Sequence, residues 1–340
     1  MPSTPELPEL TELTELTELT EVLDALQYSD NPSGFLALNT GNEVFTAPGL
    51  RGAVVYRTAG RYLVQFAGPL APDADYEALL ARFTDFAAER RKRILAVQLQ
   101  RADADIYAGR GFTVNQIGAS YAIDLERFTL RGAPFVKLRN KISRARRSGL
   151  VVEEVEPGAW ARELDDIDGQ WLRAKGRHTK ELNFLVGERG GAGDAQRRLF
   201  LGRLDGTPVA YITYAPVHGS RPGLLHDLTR RRPEVPPGVM ETINVTAIER
   251  FTEEGAGWLH LGFTPFTGLD EQYETPGSSP FVRRIVAFLA THGEAVYPAA
   301  TQLAYKQKWG PHTVLPEYIA FQGRPRPGAV WRLMRTANAV

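Results

Sequence analysis

Two rhythms of apolar residues alternate along this chain. In "GAVVYRTAGRYLVQF" (52–66) they follow a period of two, which predicts a hairpin turning at Ala59-Gly60. In "DADYEALLARFTDFAAERRKR" (73–93) they follow a helical period that puts Leu79, Leu80, Phe83 and Phe86 on one face. A buried strand "ILAVQLQ", a short helix near Ile106 and a strand "TVNQIGASYAIDL" follow. The order then recurs. "GAWARELDDIDGQWLRAKG" reads as a helix and "RLFLGRLDGTPVAYITYAP" as a hairpin turning at Asp205-Gly206. "GLLHDLT" is a strand, and "GVMETINVTAIERFTEEG" is a helix with Met240, Ile243, Ala247 and Phe251 inward and Gly255 at its end. "WLHLGF" is a strand, "SPFVRRIVAFLATHG" a helix, and two strands are expected to close the chain. Ahead of all this, "GFLAL" and "EVFTA" read as short strands. "TELTELTELTE" (11–21) repeats every three residues, out of step with a helix, and reads as a frayed acidic helix or a disordered tail.

Composition narrows the classes. The chain has 340 residues, 24% charged and 43% hydrophobic, with 40 basic and 40 acidic side chains. A net charge of zero leaves any nucleic-acid or membrane contact to a local patch. There are no cysteines, which excludes disulfides and thiolate chemistry and fits a cytoplasmic protein. No run is long enough for a transmembrane helix. The six histidines lack metal-ligand spacing, so no metal is expected and they read as surface or satisfied core residues.

Three stretches invite chemistry. "PFVKLRNKISRARRSGL" (134–150) predicts a helix with an apolar stripe of Phe135, Leu138, Ile142 and Ala145. Around that stripe stand Lys137, Arg139, Lys141, Arg144, Arg146 and Arg147. They form either a solvated basic face or a phosphate-contact surface for RNA. "HDLTRRRPEVPPGVME" (226–241) is a strand, a loop and a helix start, the place where phosphates are often cradled. Yet Pro233, Pro236 and Pro237 have no N–H to offer, and Asp227 and Arg230 to Arg232 stand just before them. "RGGAGD" (189–194) resembles a glycine cradle but precedes the hairpin and reads as a flexible loop. In "QLAYKQKWGP", Lys306 and Lys308 read as alternating along a strand, pointing the same way.

The element order is that of the GNAT acyltransferase fold, met twice. The expected fold class is therefore α/β, two tandem GNAT-like domains joined by a basic helix. The boundaries expected are 1–32 for an acidic low-complexity segment, 33–132 for the first domain, 133–150 for the connecting helix and 151–340 for the second. A single α/β domain without repetition is the alternative. Five stretches, "FTLRGAPFVKLRNKISRARRSGL", "WLRAKGRHTKELNFLVG", "DLTRRRPEVPPGVMETI", "GWLHLGFTPFTGL" and "AYKQKWGP", together resemble the catalytic domain of the phosphatidylglycerol lysyltransferases and alanyltransferases. That resemblance implies transfer of an amino acid from aminoacyl-tRNA, as co-substrate in place of a cofactor, to a hydroxyl acceptor that enters a tunnel from the opposite side. It places Asp227, Arg230 and Lys306 in the chemistry. Lys308, Arg231, Trp171 and Phe184 are candidate substrate contacts, and the six basic residues of the connecting helix candidate tRNA contacts.

The sequence departs from that family in three ways: the membrane-spanning half is absent, the paired glutamates usual near the end of the first half are Ala119 and Ser120, and a tryptophan is missing from "PHTVLPEY". These departures point the expected acceptor toward a small amine, hydroxylamine or hydroxyl compound of natural-product or antibiotic biosynthesis. A lipid hydroxyl reached by peripheral membrane contact is the alternative. A coenzyme A-dependent N-acetyltransferase and an RNA-binding GNAT module without activity are the other readings.

Overall fold

A computed structural model describes residues 19–175, 183–293 and 297–338. Its eleven strands, β1 (Glu43–Phe45), β2 (Ala53–Ala59), β3 (Tyr62–Leu70), β4 (Arg93–Leu99), β5 (Phe112–Asp124), β6 (Leu150–Val155), β7 (Arg198–Leu204), β8 (Thr207–Val217), β9 (Gly223–Arg231), β10 (Trp258–Pro265) and β11 (Thr313–Gln322), join in one sheet. The order across it is β1-β2-β3-β4-β11-β5-β10-β9-β8-β7-β6. In the first half the hairpin β2–β3 is followed by helix, strand, helix and strand, and in the second the hairpin β7–β8 is followed by strand, helix and strand. Both hairpins turn where expected, with positive φ at Gly60 in the first and at Asp205 and Gly206 in the second. The last strand, β11, lies between β4 and β5, antiparallel to both. β5 in turn pairs with β10, so each half borrows an edge from the other.

Helices cover both faces. Leu79, Leu80, Phe83 and Ala87 of the helix Asp73–Glu89 are buried, and so are Met240, Ile243, Ala247 and Phe251 of the helix Val239–Glu253. Gly255, at φ +79°, lets the chain leave that second helix. The basic helix, Val136–Arg147, buries Leu138, Ile142 and Ala145 against it. Gly238 is required at this junction, because any Cβ there would collide with the carbonyl of Lys141. Residues 19–26 are helical and bury Val22, Ala25 and Leu26. The remainder of the threonine-glutamate-leucine repeat, residues 11–18, lies outside the described residues.

Three local expectations change. "GFLAL" is a buried 3-10 turn, Gly34–Leu38. Ser29 and Asn31 side chains accept from the backbone N–H groups of Asn31 and Ser33, and such local bonds compete with strand pairing. Lys306 and Lys308 are not on a strand. Pro298 starts the helix Ala299–Gln307, Lys306 sits in its last turn, and Lys308 caps it. The chain closes with one strand, β11, and the helix Pro327–Thr336, again opened by proline.

Candidate functional site

The second half contains a fork. β10 runs parallel to β9 only from Trp258 beside Gly223 to His260 beside Leu225. Past that point β9 continues along β8. β10 shifts register between His260 and Phe263 and continues along β5. Backbone groups on the inner edges of the fork have lost their ladder partners and need others.

Lys306 meets part of that need. Its Nζ donates to the carbonyls of Gly262 (2.6 Å) and Phe263 (2.9 Å), just where β10 has left β9. Burial pushes its ammonium down to about 7, and the carboxylate of Glu317 opposes that shift. Glu317, on β11, is itself pushed up to about 7 by burial, against the pull of Ser120 and Lys306. Ser120 Oγ donates to Glu317 Oε1. Ser120 is one of the two residues at which the resemblance described above implies paired glutamates, and here a carboxylate reaches it from the adjacent strand. Glu317 was not found from sequence. The readable signal was its parity: on a strand it shares a side with Ile319 and Phe321, both buried, and an acid there is out of place.

His226 lies beside Lys306, its ring 5.8 Å from Tyr305 and 5.5 Å from Tyr214. Burial and the charges of Lys306 and Lys308 push it down to about 3, so it is neutral across the physiological range. Its Nε2 is 2.7 Å from Thr229 Oγ1. His260 bonds the Arg221 carbonyl. His260 is buried with its Nδ1 left without a hydrogen-bond partner, and among the described residues no cluster of three or more His, Asp or Glu is placed to hold a metal.

Asp227 and Arg230 each have partners of their own. The Asp227 side chain is only 1% exposed and accepts from Arg197 Nε at 2.9 Å. Burial raises its pKa and Arg197 opposes the rise. Gly187 lies directly on this carboxylate, leaving no room for a Cβ. Arg230 is buried with its guanidinium 3.9 Å over the Trp171 ring and its Nε 3.7 Å from Asp168. Asp168 also accepts from Tyr211 and Arg189. Trp171 therefore joins the site through Arg230. Asp168, three residues before it on the same helix face, was missed from sequence although the spacing shows it. Phe184 is fully buried in the core beside Phe66, three residues before Gly187. Arg231 is exposed at the strand end.

The start of the helix Val239–Glu253 is already occupied. Glu241 stands in its first turn, 8% exposed, and takes Lys308 Nζ at 2.9 Å and Lys141 Nζ at 3.5 Å. A carboxylate held here repels a diphosphate from the helix N-terminus. "RGGAGD" closes on itself, with Asp194 accepting from the Gly190 N–H, and so offers no open cradle. Of the six basic residues on the connecting helix, Lys141 and Arg146 pair with Glu241 and Glu249, and Arg139 donates to the carbonyls of Leu130 and Gly132. Lys137, Arg144 and Arg147 are exposed and form no ion pair among the described residues.

The sequence family described as phosphatidylglycerol lysyltransferase, C-terminal, matches residues 24–321. The phosphatidylglycerol lysyltransferase of Bacillus subtilis is 23% identical over 262 residues, 76% of this chain and 30% of the relative. The lysylphosphatidylglycerol biosynthesis bifunctional protein LysX of Rhodococcus opacus is 22% identical over 300 residues, 84% of this chain and 26% of the relative. The chain thus spans less than a third of the length of these curated relatives. Among solved structures, a C-terminal domain (DUF2156) from Agrobacterium fabrum superposes with a TM-score of 0.78 at 23% identity, covering 96% of this chain and 97% of that one. L-PGS from Bacillus licheniformis gives 0.75 at 18% identity, covering 94% and 97%. These likenesses show the fold, a mixed α/β architecture on a single sheet. Among the described residues no helix is long and apolar enough to cross a membrane.

Proposed function

Because the chain belongs to the family of the phosphatidylglycerol lysyltransferase C-terminal domain, we propose that it is an aminoacyltransferase that takes its amino acid from aminoacyl-tRNA. We propose further that the acceptor is phosphatidylglycerol or another lipid hydroxyl. The relatives are named for lysylphosphatidylglycerol synthesis, which favours the lipid over the small-molecule acceptor expected from sequence. The observation that carries the reading is Lys306 in the fork, in a chain of this family. A buried amine near neutrality can accept a proton from the incoming hydroxyl and return it to the leaving ribose oxygen. In that exchange the acyl carbon gains a bond to the acceptor oxygen and loses its bond to the tRNA ribose. The protonated amine also stabilises the oxyanion formed between the two events. Glu317 holds Lys306 toward its charged form, and Arg230, gripped by Trp171 and Asp168, is a fixed cation for the donor's phosphate end. Asp227, closed off by Arg197 and Gly187, serves to set that strand end. Lys137, Arg144 and Arg147 are the phosphate contacts for the acceptor stem. The carboxylate of Glu241 disfavours coenzyme A as donor.

The test offers the protein a mixture of radiolabelled aminoacyl-tRNAs with phosphatidylglycerol in detergent micelles, and separately with acetyl-coenzyme A. Lipid-dependent loss of one tRNA ester, with Arg230→Ala reducing it by about a hundredfold or more, is the expected result. Acetyl transfer without tRNA-ester consumption would overturn the proposal.

A further inference from the structure

Among the described residues nine large apolar side chains are exposed, and five of them lie on two helices. Phe281 (60% exposed), Ile285 and Phe288 (61%) form a stripe on the helix Pro280–His292. Val330 and Trp331 (53%) stand on the helix Pro327–Thr336. Both helices press their other apolar residues, Val282 on one and Ala329 and Leu333 on the other, into the same core cluster, so they cover the same face of the sheet. One packs on β5 and the other on β2 and β3. Three strand spacings, about 14 Å, separate β3 from β5, so the two helices stand on the same face with β4 and β11 between the strands they cover. At 100° per residue the apolar arc of each helix is roughly 160–200° wide, more than the core covers. The surplus faces outward.

The charge is as one-sided as the hydrophobicity. The stretches 276–293 and 323–338 contain no Asp or Glu, but carry Arg283, Arg284, Arg324, Arg326, Arg332 and Arg335. In a chain of net charge zero that is a local concentration of cation. None of the six forms an ion pair among the described residues. Aromatic residues beside arginines, without acids, suit the interface of an anionic bilayer, where the rings enter the headgroup boundary and the guanidinium groups meet lipid phosphate.

We infer that the face made by the helices Pro280–His292 and Pro327–Thr336 docks the protein on an anionic lipid bilayer. For its purpose the inference rests on the lipid-acceptor reading, and for its evidence on the surface itself. Docking would hold the fork at the membrane without a spanning helix.

The test is vesicle co-sedimentation of the full chain with phosphatidylcholine alone, and with phosphatidylcholine mixed equally with phosphatidylserine or phosphatidylglycerol. Wild type is expected to sediment with both anionic mixtures, weakening with salt. The triple variant Phe281→Ser, Phe288→Ser, Trp331→Ser should bind at least tenfold less, and Arg283→Gln, Arg284→Gln, Arg335→Gln about a hundredfold less. Both should keep the wild-type melting temperature and the wild-type rate of transfer to micellar phosphatidylglycerol. Wild-type indifference to anionic vesicles, variants that bind as wild type does, or a wild-type dimer dissociated by the aromatic variant would each overturn the inference. Loss of all transfer with vesicle binding intact would instead count against the function proposed above and leave the docking face standing.

Discussion

The sheet forks twice, and the two forks are filled differently. In the first half, β3 and β4 run parallel from Tyr62 beside Arg93 to Phe66 beside Val97, and the next residues, Ala67 and Gln98, take positive φ. There the Gln98 carbonyl accepts from the Asn31 side-chain amide at 2.6 Å, and the Ala67 carbonyl accepts from Gln65 at 2.9 Å. In the second half two carbonyls of β10, those of Gly262 and Phe263, accept from the Lys306 ammonium. The backbone problem is the same in both. A neutral amide solves it with no titration and no reactivity. An amine solves it while remaining able to move a proton. On the function proposed above, we take the second fork as the reactive one and the first as its support.

Four tests bear on that contrast, beginning with the largest expected effect. Lys306→Met should lower single-turnover transfer from charged tRNA by about a thousandfold while the protein stays folded, since a buried ammonium is replaced by an apolar chain of similar length. A rate within a few-fold of wild type would make Lys306 a structural donor like Asn31.

Glu317→Gln separates electrostatics from packing. A carboxyl raised from 4.5 to about 7 binds more protons folded than unfolded within that window. The contribution of Glu317 to stability should therefore fall as pH climbs from 4.5 to 7, by about 3 kcal/mol at most, while His226 and Lys306, whose pKa values are lowered by folding, contribute slopes of the opposite sign. Chemical denaturation across pH should show this slope removed in the variant. Parallel wild-type and variant curves would mean that Glu317 is not titrating there.

Asn31→Ala addresses the quiet fork. It strands the Gln98 carbonyl and should cost about 1–3 kcal/mol of stability. Transfer per folded molecule should not change, and a fall in rate would erase the distinction drawn between the two forks. Smallest is the effect of Lys137→Ala, Arg144→Ala and Arg147→Ala on tRNA binding. Each lost phosphate contact should flatten the salt dependence by about 0.7–0.9 log units. An unaltered slope would remove the basic helix from RNA recognition.

Period and turn chemistry made most elements readable, because Leu79, Phe83, Ile243 and Phe251 repeat on schedule and glycines mark the turns. "GFLAL" and "AYKQK" misled because short apolar runs have no period of their own. Just before the first, Ser29 and Asn31 side chains accept from the backbone and compete with strand pairing, and ahead of the second Pro298 starts a helix. For the proposed site, Asp227, Arg230 and Lys306 were named through the family resemblance, and the partners the structure gives them were not. Arg197, Asp168 and Glu317 come from distant stretches that only the folded sheet brings near. The insertion of β11 between β4 and β5 has no local signature at all.

That insertion has a consequence for synthesis. β5 is complete by Asp124, yet its neighbour β11 is made about two hundred residues later. Until the ribosome has delivered Thr313–Gln322, β4 and β5 each present an unpaired edge, and the first half waits with its sheet divided. Neither half of this chain is an independent piece to be cut out and expressed. The last strand to leave the exit tunnel is the one that closes the first half, and it is also the strand that carries Glu317 to Lys306.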